Sequence, residues 1–511
     1  MATDEHVEFE RKFDVDAGVE VPDLSVLPGV VRVDTPVEVV LSATYFDTPE
    51  LRLLSRQMTL RRRSGGLDDG WHLKIPMGAD QREEVRLPLG TAETPPTELL
   101  ARVRGVIRDA PVAPAAVLVT RRRIHRLLGD ADVVLAEFCN DQVQATTSGE
   151  SPTVQTWREW ELELIEAPDG LFDAADAVLR RPGVRPSAAP SKLARVLGDS
   201  LPSRPSWLES ADLGAHPDAG ELLSAYVAGH LARLEHQDQL LRSGDQEGVH
   251  QMRVAARRIR SALSTYAPVL EPGPATELGA ELRWLGGVLS EARDAQVLGE
   301  RLRALVEQLP ADLVIGPVLE RVSDELRERF RLGRVNADEA LDGARYFRLL
   351  DRLEAFADRP LFIEAAGTRA ARVVPDLIQA ELKRLHKRNR AYRAATSGED
   401  QDVALHAVRK AAKRLRYAAE SAQPVFRKRA TRLAARAEAL QELLGEHQDT
   451  IVSREALREI AIRAHEAGEN AFTFGILHAN ETHRGAELEH RYPKVLADLP
   501  HKNRGRWLRK K

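Results

Sequence analysis

Near the start of the chain, Val7-Glu8-Phe9-Glu10-Arg11-Lys12-Phe13 alternates charge with apolar bulk. Successive side chains of a β-strand point to opposite faces, so Glu8, Glu10 and Lys12 share one face and Phe9 and Phe13 the other. Two carboxylates and an ammonium make a poor core, but they suit a divalent cation and a phosphate. A solvated face explains one such strand equally well. Later stretches repeat the arrangement, however. Arg61 and Arg63 share a face against Leu60, and His72 and Lys74 oppose Trp71, Leu73 and Ile75. Arg82, Glu84 and Arg86 oppose Val85 and Leu87, and Arg121, Arg123 and His125 follow at the same spacing. Glu137 aligns with Asp141, with Cys139 between them, and Glu159, Glu161 and Glu163 oppose Trp160, Leu162 and Leu164.

At least six strands therefore carry one face charged in both signs and one apolar face. Residues 98–107 and 171–179 have the pattern of helices that cover apolar faces. An open sheet with its charged face in water produces this pattern, and so does a closed barrel with a charged lumen. Two details favour the lumen. The charged faces are nearly free of Ser, Thr and Asn, and residues 1–200 hold only three lysines, Lys12, Lys74 and Lys192, amid many arginines. Two of the three lie on charged faces. The third follows a Pro-rich turn in Ser191-Lys192-Leu193, where a helix can start.

The ordered set Glu8-x-Glu10-x-Lys12, Tyr45-Phe-Asp-Thr48, Leu60-Arg-Arg-Arg63, Trp71-His-Leu-Lys74, Arg82/Glu84/Arg86, Glu159/Glu161/Glu163 and Ser191-Lys192 resembles the CYTH domain of the triphosphate tunnel metalloenzymes. The resemblance covers residues 4–200. It implies an antiparallel eight-stranded tunnel that binds a triphosphate lengthwise. Glu8, Glu10, Glu161 and Glu163 would be ligands of Mg²⁺ or Mn²⁺. Lys12, Arg61, Arg63, Lys74, Arg86, Arg121, Arg123 and Lys192 would hold phosphate oxygens. The strand register leaves open whether Glu137 or Asp141 faces the lumen.

Residues 201–217, rich in Pro, Ser, Gly and Asp, break the strand periodicity and are expected to be a linker. Beyond them the chain reads as amphipathic helix. It contains an internal repeat: His250-x-x-Arg253-x-x-x-Arg257-x-x-Arg260 recurs 156 residues later as His406-x-x-Arg409-x-x-x-Lys413-x-x-Arg416. Leu289-x-x-x-Arg293-Asp294 recurs loosely as Leu444-Gly445-x-x-Gln448-Asp449. A two-fold pseudosymmetric bundle with about four helices per half follows. At about 100° per residue, each four-residue set forms one stripe about 15 Å long. Neither stripe contains an acid, and like charges at this spacing repel, so an anion is the expected partner. Lys383, in a third basic run through Arg390, would lengthen that surface. Residues 218–495 resemble the CHAD domain, which implies binding of inorganic polyphosphate in a basic channel. Residues 496–511 are expected to be a basic tail.

The 511-residue chain has a net charge of only −4, so polyanion binding must come from local clusters. Aromatic residues make up 5% and are sparse in the basic stripes, which leaves nucleic bases little to stack on. No histidine pair in these motifs has metal-ligand spacing beside carboxylates. Cys139 is the only cysteine, so no intrachain disulfide forms. With an acidic start and no stretch near the ~18 apolar residues of a membrane helix, a cytoplasmic protein is expected. The leading expectation is metal-dependent hydrolysis of inorganic triphosphate or polyphosphate in the first domain, with polyphosphate bound by the second. The alternatives are a non-catalytic polyphosphate binder, an organic triphosphatase acting on thiamine triphosphate or ATP, and a class IV-like adenylyl cyclase.

Overall fold

A computed structural model describes residues 4–66, 68–78, 80–149, 151–209, 212–245 and 247–500. The chain divides into two compact units, Met1–Pro205 and Ser206–Lys511.

The first unit is built on strands β1 (Asp4–Val15), β2 (Arg32–Val33), β3 (Val37–Asp47), β4 (Thr59–Ser64), β5 (Gly70–Pro76), β6 (Gln81–Pro88), β7 (Ala113–Leu128), β8 (Val134–Thr147), β9 (Val154–Leu164) and β10 (Val184–Pro186). Eight of them form the antiparallel path β1-β6-β5-β4-β3-β7-β8-β9, and β1 pairs with β9 to close the barrel. β10 extends β1, and β2 pairs with β7. The short helices are α1 (Arg52–Ser55), α2 (Thr97–Arg102), α3 (Arg104–Ile107), α4 (Leu171–Leu179) and α5 (Lys192–Leu197). The apolar strand faces pack outward onto helices, as the alternation predicts. Leu60, Trp71, Leu73 and Val85 meet Leu99, Val103 and Val106 of the α2–α3 region. Phe13, Phe138, Trp160 and Leu162 meet Leu171, Ala175 and Leu179 of α4. Each such fully buried side chain contributes about 1.5–3 kcal/mol.

α5 packs differently. Its Leu193, Ala194 and Val196 are buried with Ala43, Tyr45, Ala116, Leu118, Val143 and Ala145, residues of the lumen-facing rows of β3, β7 and β8. One end of the barrel is thus filled by an apolar plug. Ser191 caps α5 by accepting a hydrogen bond from the Ala194 amide at 3.1 Å, and Gln155 Nε2 donates to the Val196 carbonyl at 2.9 Å.

The second unit comprises α6 (Ala219–Arg242), α7 (Glu247–Thr265), α8 (Pro272–Val288), α9 (Ser290–Glu307), α10 (Val318–Leu341), α11 (Ala344–Asp358), α12 (Ala370–Ala394), α13 (Gly398–Ser421), α14 (Gln423–Phe426), α15 (Lys428–Glu466) and α16 (Phe472–Ala497). The repeat is visible in these bounds. α15 begins 156 residues after α8, and it runs unbroken where the first half splits into α8 and α9 at Leu289–Ser290. Each half is thus a set of about four helices, with α11 and the one-turn α14 as additions. Asp218 and Glu221 form a reciprocal cap at the start of α6. Within the segment expected to be a linker, Trp207 is buried in the second unit's core. Leu496 and Leu499, within the expected tail, are buried in that core too, and residues 501–511 lie outside the described residues. Among the described residues, no helix is long and apolar enough to cross a membrane.

Candidate active site and anion site

The charged strand faces of the first unit line a cavity of about 940 Å³ inside the barrel. Glu8, Glu10, Lys12, Arg61, Arg63, Lys74, Arg86, Glu161, Glu163 and Lys192 all line it. Strand register places the carboxylates in rows. Glu10 is directly opposite Glu163, which is directly opposite Glu137, and one step deeper Lys12 faces Glu161. Like charges on directly opposed residues repel, so this row is destabilising as it stands. Arg126 relieves Glu137 at 3.0 Å, while Lys12 and Arg82 relieve Glu10 at 3.2 and 2.9 Å. Glu163 has no ion-pair partner among the described residues. Burial, reinforced by Glu8, Glu10 and Glu161, pushes its pKa up to about 7. Burial also raises Glu10, but Lys12 and Lys74 outweigh it and bring that carboxyl to about 2.

Two further nodes are saturated. Lys192 Nζ lies 2.6, 2.7 and 3.0 Å from Glu159, Glu161 and Asp141. Those three carboxylates have the spacing of a metal site, but an ammonium already fills it. Glu84, fully buried, is surrounded by His72 at 3.1 Å, Lys74 at 3.5 Å, Arg61 at 3.6 Å and Arg86. These partners hold its pKa far below the usual range against the effect of burial. Glu8 pairs with Lys74 and with Arg86 at 3.2 Å. Tyr45 lies at the plugged end, where Arg61 Nη1 donates to its hydroxyl at 3.4 Å. Asp47 of the same motif is structural: it accepts backbone N–H bonds from Thr48, Leu53 and Leu54 and holds the turn into α1.

β7 departs from expectation. Arg121 and Arg123 point away from the lumen; both are exposed, and Arg123 pairs with Glu38 at 3.0 Å on the outer surface. Arg122 and Arg126 line the cavity instead, with Arg122 forked onto Asp141 at 2.8 and 2.7 Å. The reason is physical. Apolar residues mark the outer face only where a helix covers it; among the described residues none covers Val117 and Val119 of β7, and its apolar inward residues, Ala116 and Leu118, face the plug. Val117 and Val119 are exposed on the outside. Three consecutive arginines carry no parity signal. Their partner does: Asp141 lies directly opposite Arg122. The same register shows Glu137 and Asp141 both turned inward, Glu137 to the cavity and Asp141 to Arg122 and Lys192.

In the second unit the two stripes lie on α7 and α13, which pack together. Arg257 Nε donates to the Tyr417 hydroxyl at 3.0 Å, and Arg258 pairs with Glu420 at 3.1 Å. Burial and the nearby Arg409, Arg257 and Arg253 bring Lys413 down to about 7. Arg409 and Arg260 are lowered too, first by burial. Among the described residues, Arg257, Arg260, Arg409 and Lys413 have no carboxylate within ion-pair distance, while Arg253 has Asp294 at 3.1 Å. His250 borders Arg253, Arg257 and Arg293, and His406 borders Arg409, Lys410 and Lys413. Arg416 differs from expectation: it is neutralised by Glu420 at 2.8 Å and Glu438 at 2.7 Å. The stripe is acid-free, but the next turn of α13 and the facing α15 are not. Lys383 is exposed on α12 and is not among the cations that crowd Lys413.

A family model of the CYTH domain matches residues 6–186, and one of the CHAD domain matches residues 225–458. Two proteins of Mycobacterium tuberculosis are similar along the whole chain: uncharacterized protein MT2285 of strain CDC 1551 / Oshkosh and uncharacterized protein Rv2226 of strain ATCC 25618 / H37Rv. Each is 40% identical over 495 residues, 93% of this chain and 93% of the relative. Among solved structures, PptA from Streptomyces chartreusis is 22% identical, with a TM-score of 0.47, over 55% of this chain and 99% of its own. The CHAD domain from the plant Ricinus communis is 28% identical, with a TM-score of 0.46, over 57% of this chain and 96% of its own.

Proposed function

Because this chain belongs to the family of proteins that join a CYTH domain to a CHAD domain, we propose that its barrel hydrolyses inorganic triphosphate or the ends of polyphosphate with Mg²⁺ or Mn²⁺, and that its helical unit binds polyphosphate. A CYTH domain implies triphosphatase or cyclase chemistry; the choice of substrate is our inference. One observation carries it. Glu163 lies beside Glu10 with no cation within ion-pair distance among the described residues, in a cavity whose other charged lining is mostly Arg and Lys, and the pull of Lys74 does not offset burial and the neighbouring carboxylates. A carboxylate row of this kind fits a hard divalent cation, and the cationic lining fits a phosphate chain. Among the described lining residues Tyr45 is the only aromatic, which favours a phosphate chain over a nucleotide.

Glu8, Glu10, Glu161 and Glu163 would hold the cation. When bound, it would supply charge neutralisation of phosphate oxygens and polarisation of the attacking water. Lys12, Arg61, Arg63, Lys74, Arg86 and Lys192 would orient phosphate oxygens. A phosphate taken up by Lys74 and Arg86 would free Glu8 from both, leaving it available to the cation. With α5 filling one end of the barrel, a phosphate chain would enter from the other, and hydrolysis would act at a chain end. The lone Cys139 is buried, and we assign the protein to the cytoplasm. Phosphate release from triphosphate, ATP, thiamine triphosphate and long polyphosphate, each with Mg²⁺, Mn²⁺ or chelator, tests this. Triphosphate should be cleaved fastest, and only with the cation. Release that persists in chelator overturns the metal role, and faster release from ATP overturns the substrate.

A further inference from the structure

Gly445 lies in the interior of α15, a 39-residue helix. Glycine is the least favourable residue in a helix interior after proline, because it has the most backbone freedom to lose. Gly445 is not at a positive φ, so the backbone there does not require glycine. A neighbour does. A Cβ built at this position lies 3.3 Å from Arg409 Nη2, 3.4 Å from Nε and 3.8 Å from Cζ. The three nearest atoms all belong to one guanidinium, which rests against the bare backbone of α15. That guanidinium belongs to the anion cluster. Its Nε is buried with no hydrogen-bond partner among the described residues, and burial and Arg257 lower its pKa, opposed by Asp449 and Asp294. Three residues on, Gln448 lies beside His406 and raises its pKa against the effect of burial, and Asp449 acts on both Arg409 and Lys413.

We infer that Gly445 is a positioning residue of the helical unit's anion site: it leaves the space in which Arg409 lies against α15, and so sets where that cation meets a phosphate chain. The Gly445–Gln448–Asp449 face of α15 is then a bed for the second-repeat cations. In the first repeat the corresponding point is the break between α8 and α9, where Ser290 turns its hydroxyl to the Gly286 carbonyl at 2.8 Å. The two repeats therefore seat their cations differently. This inference rests on the reading of that unit as a polyphosphate binder.

The test is a double-mutant cycle on the full chain, read by polyphosphate affinity and by Tm. Gly445→Ala should weaken binding roughly three- to tenfold in wild type and add nothing in the Arg409→Ala background. In that background Gly445→Ala should raise Tm as Gly229→Ala does; Gly229 is an exposed glycine of α6 with open space at its Cβ. Gly229→Ala should leave affinity unchanged. Wild type that fails to bind polyphosphate overturns the reading of the unit and this inference with it. Wild type that binds while Gly445→Ala binds equally well overturns the inference alone. So does a Tm loss for Gly445→Ala that persists without Arg409, since the clash would then lie elsewhere.

Discussion

The barrel and the helical bundle both gather many cations, but they treat the charge in opposite ways. In the barrel nearly every charge is met by its opposite. Lys192 sits among three carboxylates and Glu84 among three cations and two histidines. The exception is Glu163, in the middle of a short carboxylate row between Glu10 and Glu137, with no ion-pair partner among the described residues. In the bundle the cations crowd one another, and Arg257, Arg260, Arg409 and Lys413 have no acid within ion-pair distance among the described residues, Asp449 acting on Arg409 and Lys413 only from farther off. A mixed-sign lining fixes each side chain in place before a ligand arrives, which is what in-line chemistry on a phosphate requires. A one-sign cluster stays frustrated until a polyanion relieves it, which suits capture. On the proposed reading, the two units use the same residue types for different work.

The largest effect expected to separate them is Glu8→Ala/Glu10→Ala. Phosphate release should fall on the order of a hundredfold or more, the scale of losing a charge-stabilising group, while polyphosphate retention by the bundle is unchanged. Parallel loss of both would break the division of labour. Next is Lys192→Ala, which leaves Asp141, Glu159 and Glu161 buried without their ammonium. Thermal unfolding should show a loss of about 3–5 kcal/mol, the scale for breaking a buried ion pair. A variant as stable as wild type would show that Arg122 alone balances the node.

The sharpest contrast is with pH. Glu163, raised to about 7, must lose a proton to hold a cation, so barrel metal affinity should rise from pH 6 to 8 with proton release. Lys413, lowered to about 7, must be protonated to hold phosphate, so bundle affinity should fall over the same interval. Stability follows its own sign. The unfolded chain binds more protons at Lys413 than the folded one, so that group contributes stability as pH rises above 7. Calorimetric titrations at three pH values read both slopes, and Lys413→Arg should flatten the second only. The smallest effect is expected from Arg121→Ala, which faces outward on β7. Phosphate release should stay within a factor of about two, because a surface change away from the site has little reach. A large loss there would overturn the β7 register.

The sequence by itself determined the alternation of charge on six of the eight barrel strands, the helices over their apolar faces, the repeat and its two cationic stripes. These are local periodicities, set by where consecutive Cβ atoms point, and no neighbour is needed to see them. Only the tertiary structure decided the rest. The parity of β7 depended on Asp141 across the ladder and on a plug that makes the lumen floor apolar. Arg416 was lost from its stripe to Glu438, an acid on another helix. Which carboxylate lacked a partner followed from rows running across strands, and the space beside Arg409 from a glycine 36 residues away. Pattern along the chain fixes the facing of each side chain, whereas pairing, vacancy and close approach belong to atoms that only folding brings together.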